Sequence, residues 1–180
     1  MAIEVLSLTV RSPLTELWDD DPMRKKQRNG FSLIELLIVV AIILIVAAIA
    51  IPNLLRARIS ANEASAVSSI HAVNTAEITY TTIFPTVGYA PSLLSLGPGG
   101  GCNSPANACI IDTLLASGTK SGYIFTYVQD SSSTPSTGYT LNADPIARSI
   151  TGQRSYYSDQ TNATHYNQNA AAGPSDLALQ

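Results

Sequence analysis

The chain has 180 residues, room for one modest domain with appendages, and its net charge of −3 with 13% charged residues gives no electrostatic footprint for nucleic acid. Hydrophobic residues make up 46% of the chain, which is ordinary, but their placement is uneven. Between Phe31 and Ile51 only Ser32 and Glu35 are polar.

Residues 1–22 are acidic, with Glu4, Glu16, Asp19, Asp20 and Asp21, and they fit poorly with the basic and then apolar residues after them. Met23 opens the run Met-Arg-Lys-Lys-Gln-Arg-Asn-Gly. We expect Met23 to be the true start; a genuine long leader is the alternative. Arg24, Lys25, Lys26 and Arg28 stand directly before an apolar run, a placement that reads as a cytoplasmic anchor. Phe31–Ile51 is 21 residues long. As a helix it spans about 31 Å, matching a bilayer core of roughly 30 Å. Pro52 ends the uninterrupted run and predicts a kink or a loosened turn, because proline removes a backbone donor.

The helical signal resumes over residues 53–80. Leu55, Ile59, Ala66, Ile70, Val73 and Tyr80 fall three, four or seven apart and form one apolar stripe, with Arg58, Glu63 and Glu77 off its centre. One long helix over about 32–81 is predicted. After Phe84 and Pro85, the residues Pro91 and Gly97-Pro98-Gly99-Gly100-Gly101 mark a loop. Ile110–Ser117 predicts a short helix with Asp112 near its start. Tyr123–Val128 is rich in aromatic and β-branched residues and predicts a strand. Gly138–Ala143, Arg154–Ser158 and Thr164–Asn167 are three further strands, and their short connections favour an antiparallel meander. Ala170–Gln180 reads as a frayed tail.

The residues Gly30-Phe31-Ser32-Leu33-Ile34-Glu35-Leu36-Leu37, directly after the basic leader, closely resemble the class III signal of type IV prepilins and type II secretion pseudopilins. The resemblance is strong over about 24–60 and architectural beyond. It implies cleavage by a prepilin peptidase after Gly30 and methylation of the new amino terminus, Phe31. Glu35 matches the family's acidic fifth mature residue, and Pro52 its proline at the twenty-second. Elementary chemistry supports the first three. Glycine before a cut site lets a protease hold the backbone closely. A carboxylate inside a membrane helix costs about 2.5–3.5 kcal/mol, so Glu35 needs a partner, a function or a route to the interface. The Phe31 amine of an adjacent subunit is a plausible partner, and methylation preserves its charge. An ordinary secretory signal ending at Ala48-Ile49-Ala50 is the competing reading. The run is long for that, Glu35 interrupts it, and the stripe continues past Ala50.

Cys102 and Cys109, in a chain that crosses a membrane, suggest one disulfide in an oxidising compartment; two free thiols are the alternative. Pilins often carry a disulfide that encloses a C-terminal segment. This pair does not, so the receptor-binding role of that region is not carried over. His71 and His165 are isolated and read as structural or solvated. Asp144 and Asp159 lack any EF-hand spacing, so no metal and no cofactor is expected. Asn162-Ala163-Thr164 is a glycosylation sequon that arises easily by chance, and the hydroxyl cluster at 131–137 reads as a solvated turn.

The reading is therefore an α+β pilin-like fold: a long N-terminal helix, half membrane and half amphipathic, on a four-stranded antiparallel sheet. Its segments are a leader at 1–30, with 23–30 as the true leader, a transmembrane half at 31–51, an amphipathic half at 52–83 and a head at 84–180. The expected role is a non-catalytic subunit of a type IV pilus. The expected partners are copies of itself, the prepilin peptidase, the inner-membrane assembly platform and the membrane. The chain should rest in the inner membrane with its N-terminus cytoplasmic, and lie in an extracellular pilus or a periplasmic pseudopilus after assembly. A pseudopilin and a membrane-tethered binding protein are the rivals.

Overall fold

The computed structural model describes residues 30–179; the expectations for residues 1–29 lie outside them. The described residues fall into two units that divide between Ile42 and Ile43, and one helix, α1 (Leu33–Ile83), contributes residues to both. In the first unit, Ser32 caps the helix start: its carbonyl accepts from the N–H groups of Glu35 and Leu36, 3.1 and 3.2 Å away.

In the second unit α1 runs without a break through Pro52, although proline offers no N–H to the carbonyl one turn earlier. The buried face of α1 consists of Ala66, Ser69, Ile70, Val73, Asn74, Ala76, Glu77 and Tyr80. The stripe read from the sequence is thus right over its upper half. Leu55, its lowest member, remains exposed, and Ile59 is half-buried.

Two one-turn helices interrupt the connection after α1: α2 (Leu93–Leu96) and α3 (Thr113–Ala116). Each is started by a side-chain cap, which satisfies a backbone donor at the helix start. Ser92 accepts from the Ser95 N–H, and Asp112 from the Leu115 N–H. α3 is the short helix expected near Asp112; α2 lay in what read as loop. The sheet is a single antiparallel meander of six strands in chain order: β1 (Thr119–Lys120), β2 (Tyr123–Gln129), β3 (Tyr139–Pro145), β4 (Ser155–Asp159), β5 (Thr164–Asn167) and β6 (Leu177–Ala178). The four central strands are those the sequence predicts. The two additional ones are two-residue edges, too short to carry a periodic signal. β6 also shows that the tail is paired rather than frayed: Leu177 lies opposite Tyr166, and Ala178 opposite His165.

Alternation on the strands sets the core. Tyr123 and Phe125 of β2, Tyr139, Leu141 and Ala143 of β3, and Tyr156 of β4 are buried together with Ile70, Val73 and Tyr80 of α1. Each large apolar side chain removed from water in this way contributes roughly 1.5–3 kcal/mol. Ile124 and Val128 point the other way and are exposed.

Candidate functional site

The junction singled out in the sequence lies in the first unit. Gly30 is exposed, and a Cβ added there would meet nothing within 4 Å. Among the described residues, neither packing nor a left-handed backbone demands glycine at that position. Phe31 is 80% exposed. Glu35 sits in the first turn of α1, where a negative charge meets the positive end of the helix dipole, an effect of about 0.3–1 kcal/mol. It is exposed, and its side chain makes no hydrogen bond or ion pair among the described residues.

The surroundings of Glu35 define what this helix needs. From Leu33 to Ile51, every large apolar side chain is between 46% and 80% exposed, on all sides of the helix rather than on one stripe. A helix apolar all round requires lipid or other helices around it. This one is long and apolar enough to cross a membrane. Arg56 and Arg58 come soon after it.

In the second unit, polar side chains of α1 tie the helix to the sheet and its loops. Asn62 Nδ2 donates to the Thr151 carbonyl at 2.8 Å. Glu63 Oε1 accepts from the N–H groups of Gln153 and Arg154 at 2.8 and 3.1 Å. Further along, Asn74 Nδ2 donates to Ser158 Oγ at 2.9 Å, and the Tyr139 hydroxyl donates to Asn74 Oδ1 at 2.9 Å.

Glu77 corrects the sequence reading. Expected off the centre of the stripe, it is fully buried within it. Its Oε2 accepts from the Ala90 N–H at 3.0 Å, while Oε1 is buried with no hydrogen-bond partner. Burial raises its pKa above the ordinary carboxylate range, against the lowering pull of the Ala90 N–H and the Tyr127 hydroxyl. A single acidic residue inside an apolar stripe was the available signal; the charge alone placed it outside.

Cys102 and Cys109 form a disulfide with Cα atoms 5.4 Å apart. Their loop is held at Pro105, whose carbonyl accepts from the Tyr80 hydroxyl at 2.7 Å. Asp144 and Asp159 are not brought together: Asp159 lies opposite Thr140, four residues along β3 from Asp144, or about 13 Å. Among the described residues no group of three or more His, Cys, Asp or Glu side chains could hold a metal ion. His71 is exposed on α1. His165 Nδ1 lies 2.8 Å from the Asp176 carbonyl, which ties β5 to the segment before β6. Asn162 is exposed in the turn before β5, but the Thr164 of its sequon is buried in that strand. A shallow groove of about 360 Å³, lined by Gln129, Asp130, Tyr157, Asp159 and Gln160 among others, opens on the sheet. Its two carboxylates are engaged in their own turns, with Ser132 and Thr161.

Comparison with known proteins converges on the N-terminal segment. Residues 25–51 match the family model described as the prokaryotic N-terminal methylation motif. The type IV wide pilus major component PilA4 of Thermus thermophilus is 63% identical over 38 residues, which cover 21% of this chain and 29% of that protein. The match thus spans less than a third of the length of that relative. No solved structure matches.

Proposed function

We propose, from its membership of the type IV pilin and pseudopilin family, that this chain is a structural subunit of a type IV pilus. The observation that carries the reading is the junction itself. A glycine that packing among the described residues does not require stands before Phe31, and next comes a helix bare on all sides with one carboxylate in its first turn. The prepilin peptidase cuts after Gly30 and methylates Phe31. Residues 31–51 hold the subunit in the inner membrane, N-terminus cytoplasmic, and the head folds on the far side, where Cys102 and Cys109 are oxidised. Assembly then moves the helix from lipid into a bundle of like helices, so its apolar surface stays out of water throughout. Glu35 pairs with the Phe31 amine of a neighbour, and Pro52 lets the helix adjust as it packs. The chain performs no reaction of its own. Work for extraction comes from an assembly platform.

A secretion pseudopilus is the rival reading, and where the assembled protein lies separates the two. Immunogold labelling of the head on sheared surface fibres tests this. Label along long fibres is the expected result. Label confined to the cell envelope, in cells whose surface fibres stay unlabelled, would assign the chain to a pseudopilus.

A further inference from the structure

The connection from β3 to β4 meets α1 at the end of the head nearest the apolar segment. The Thr151 carbonyl accepts from Asn62 Nδ2, and Gln153 and Arg154 donate their N–H groups to Glu63. Between this loop and α1 lies an open groove of about 350 Å³, lined by Arg56, Ser60, Gln153, Arg154 and Gln168 among others. Arg154 stands partly exposed over the Tyr166 ring. Arg148 braces the wall: its guanidinium donates to the Gln153 and Gln168 carbonyls and to Ser155 Oγ. The Arg56 side chain is exposed and bonded to nothing among the described residues. On the same loop, Ile146 and Ile150 are 54% and 69% exposed.

Charge and level agree. Four of the five lysines and arginines among the described residues gather at this end, Arg56, Arg58, Arg148 and Arg154; Lys120 is paired with Asp112. Of the carboxylates nearby, Glu63 is engaged by the loop, and Asp176 accepts from Asn167 and Gly173. Asp144, near the end of β3, makes no side-chain hydrogen bond or ion pair among the described residues and is the one charge here that opposes an anion. Leu54 and Leu55 are exposed and carry the apolar surface of α1 up to Arg56. From Arg56 to Glu63 is about 10 Å of helix. A headgroup layer is roughly 5–8 Å deep. Spanning helices tilt by about 20° on average, which lowers the side toward which the helix leans.

We propose that this groove holds the phosphate of a lipid headgroup and docks the head on the anionic face of the bilayer that α1 spans, with Ile150 entering between the headgroups. Docking rests on residues 31–51 lying in the membrane. Guanidinium groups match phosphate oxygens in shape and charge. A leaflet presents phosphate and, just beneath it, hydrocarbon; this loop presents arginines and isoleucines together. Free phosphate would satisfy the arginines but leave Ile146 and Ile150 in water. Docked, the head is held at one height and one lean before assembly withdraws it. Each arginine near an anionic surface favours docking about fivefold, so Arg56→Gln with Arg58→Gln should lower the docked-to-undocked ratio by about twenty-five-fold.

The chain has one tryptophan, Trp18, so in the full chain Trp18→Phe gives a dark background in which Ile150→Trp reports alone. The protein is reconstituted in vesicles of phosphatidylcholine, with or without about one third phosphatidylglycerol, the acyl chains brominated near the headgroup. Tryptophan at 150 should be quenched in the anionic vesicles and far less in phosphatidylcholine alone. Quenching should fall when Arg56→Gln and Arg58→Gln are added, and in 1 M salt, where the Debye length is about 3 Å. Leu44→Trp, in the apolar segment, should be quenched in both lipids. If Leu44→Trp is quenched and Ile150→Trp is not, docking is overturned while the membrane placement stands. If Leu44→Trp is not quenched, the membrane placement itself has failed. Quenching at 150 that ignores both phosphatidylglycerol and the arginines would overturn the phosphate site. A tryptophan at 150 shielded from aqueous iodide yet untouched by bromine would mean that another copy of the chain covers the loop, and would overturn it too. The two lipids are compared on one protein, so an arginine variant that failed to fold would leave that comparison decisive.

Discussion

Asn74 of α1 and Ser158 of β4, 84 residues apart in sequence, share a buried hydrogen bond of 2.9 Å. The Tyr139 hydroxyl completes the arrangement from β3 by donating to Asn74 Oδ1. Neither polar side chain belongs on an apolar stripe by pattern, and together they fix where along its axis the helix meets the sheet. Asn74→Ala leaves the Tyr139 hydroxyl and Ser158 Oγ without their partner. Each buried polar group so abandoned costs about 1–3 kcal/mol. At roughly 2–4 °C per kcal/mol for a chain of this size, thermal unfolding of the variant should begin several degrees below wild type. Circular dichroism in detergent measures it, and an unchanged midpoint would show that water replaces Asn74 at no cost.

The disulfide closes a sequence separation of 7. A loop that short restricts the unfolded chain only modestly, by about 2.5 kcal/mol in the chain-entropy model. The loop is also tied down at Pro105 by the Tyr80 hydroxyl, and Cys109 N–H reaches the Gly97 carbonyl. Cys102→Ser should therefore lower the unfolding midpoint while leaving the sheet spectrum intact. Quantitative thiol labelling of untreated wild-type protein should find no free thiol. Two reactive thiols, or a sheet lost with the cysteine, would refute the description of this bond as a local staple.

Processing should leave Phe31 as the first residue, carrying one extra methyl group on its amine. N-terminal sequencing and intact mass of membrane-extracted protein settle both points. Because a Cβ at Gly30 would meet nothing, Gly30→Ala should fold unchanged yet accumulate uncleaved. A mature chain beginning at Ile51 would establish ordinary secretion instead.

Much of this architecture is legible in the residues because long periodic segments announce themselves. The helix expected over 32–81 spans Leu33–Ile83, and four runs of aromatic and β-branched residues became β2 to β5. The edges were not legible. Thr119–Lys120 and Leu177–Ala178 are strands only because β2 and β5 offer unpaired backbone to them. No side-chain pattern two residues long can say so. α2 was hidden for a similar reason: one turn between Pro91 and Gly97 is outweighed locally by its breakers, and Ser92 was its one signal. Glu77 was set off the stripe's centre on its charge alone. Its burial depends on Ala90 and Tyr127, 13 and 50 residues away in sequence, which no window around the helix contains.

Glu35 is the residue on which fibre assembly should turn. It lies in the first helical turn, exposed, with only apolar side chains after it to Ile51. Placing that carboxylate within a bilayer costs about 2.5–3.5 kcal/mol at the helix centre and less near the end where it stands. In a bundle of like helices the cost falls only if a cation meets it, and the Phe31 amine of a neighbour is the cation each subunit brings. A buried ion pair need not add net stability, but removing one member leaves the other penalised by about 3–5 kcal/mol. The pair therefore acts on register, selecting the axial offset at which charges meet. Glu35→Gln and Glu35→Val should both insert and both be cut after Gly30, since the scissile bond lies upstream; the valine should insert the more readily. Fibre yield should fall by about tenfold or more, the scale that so large a penalty per contact implies. Comparing processed protein in membranes with protein in sheared fibres, for wild type and both variants, separates the possibilities. Normal fibre yield in both would mean that Glu35 only reaches the lipid interface, and loss of cleavage would make it part of what the peptidase reads.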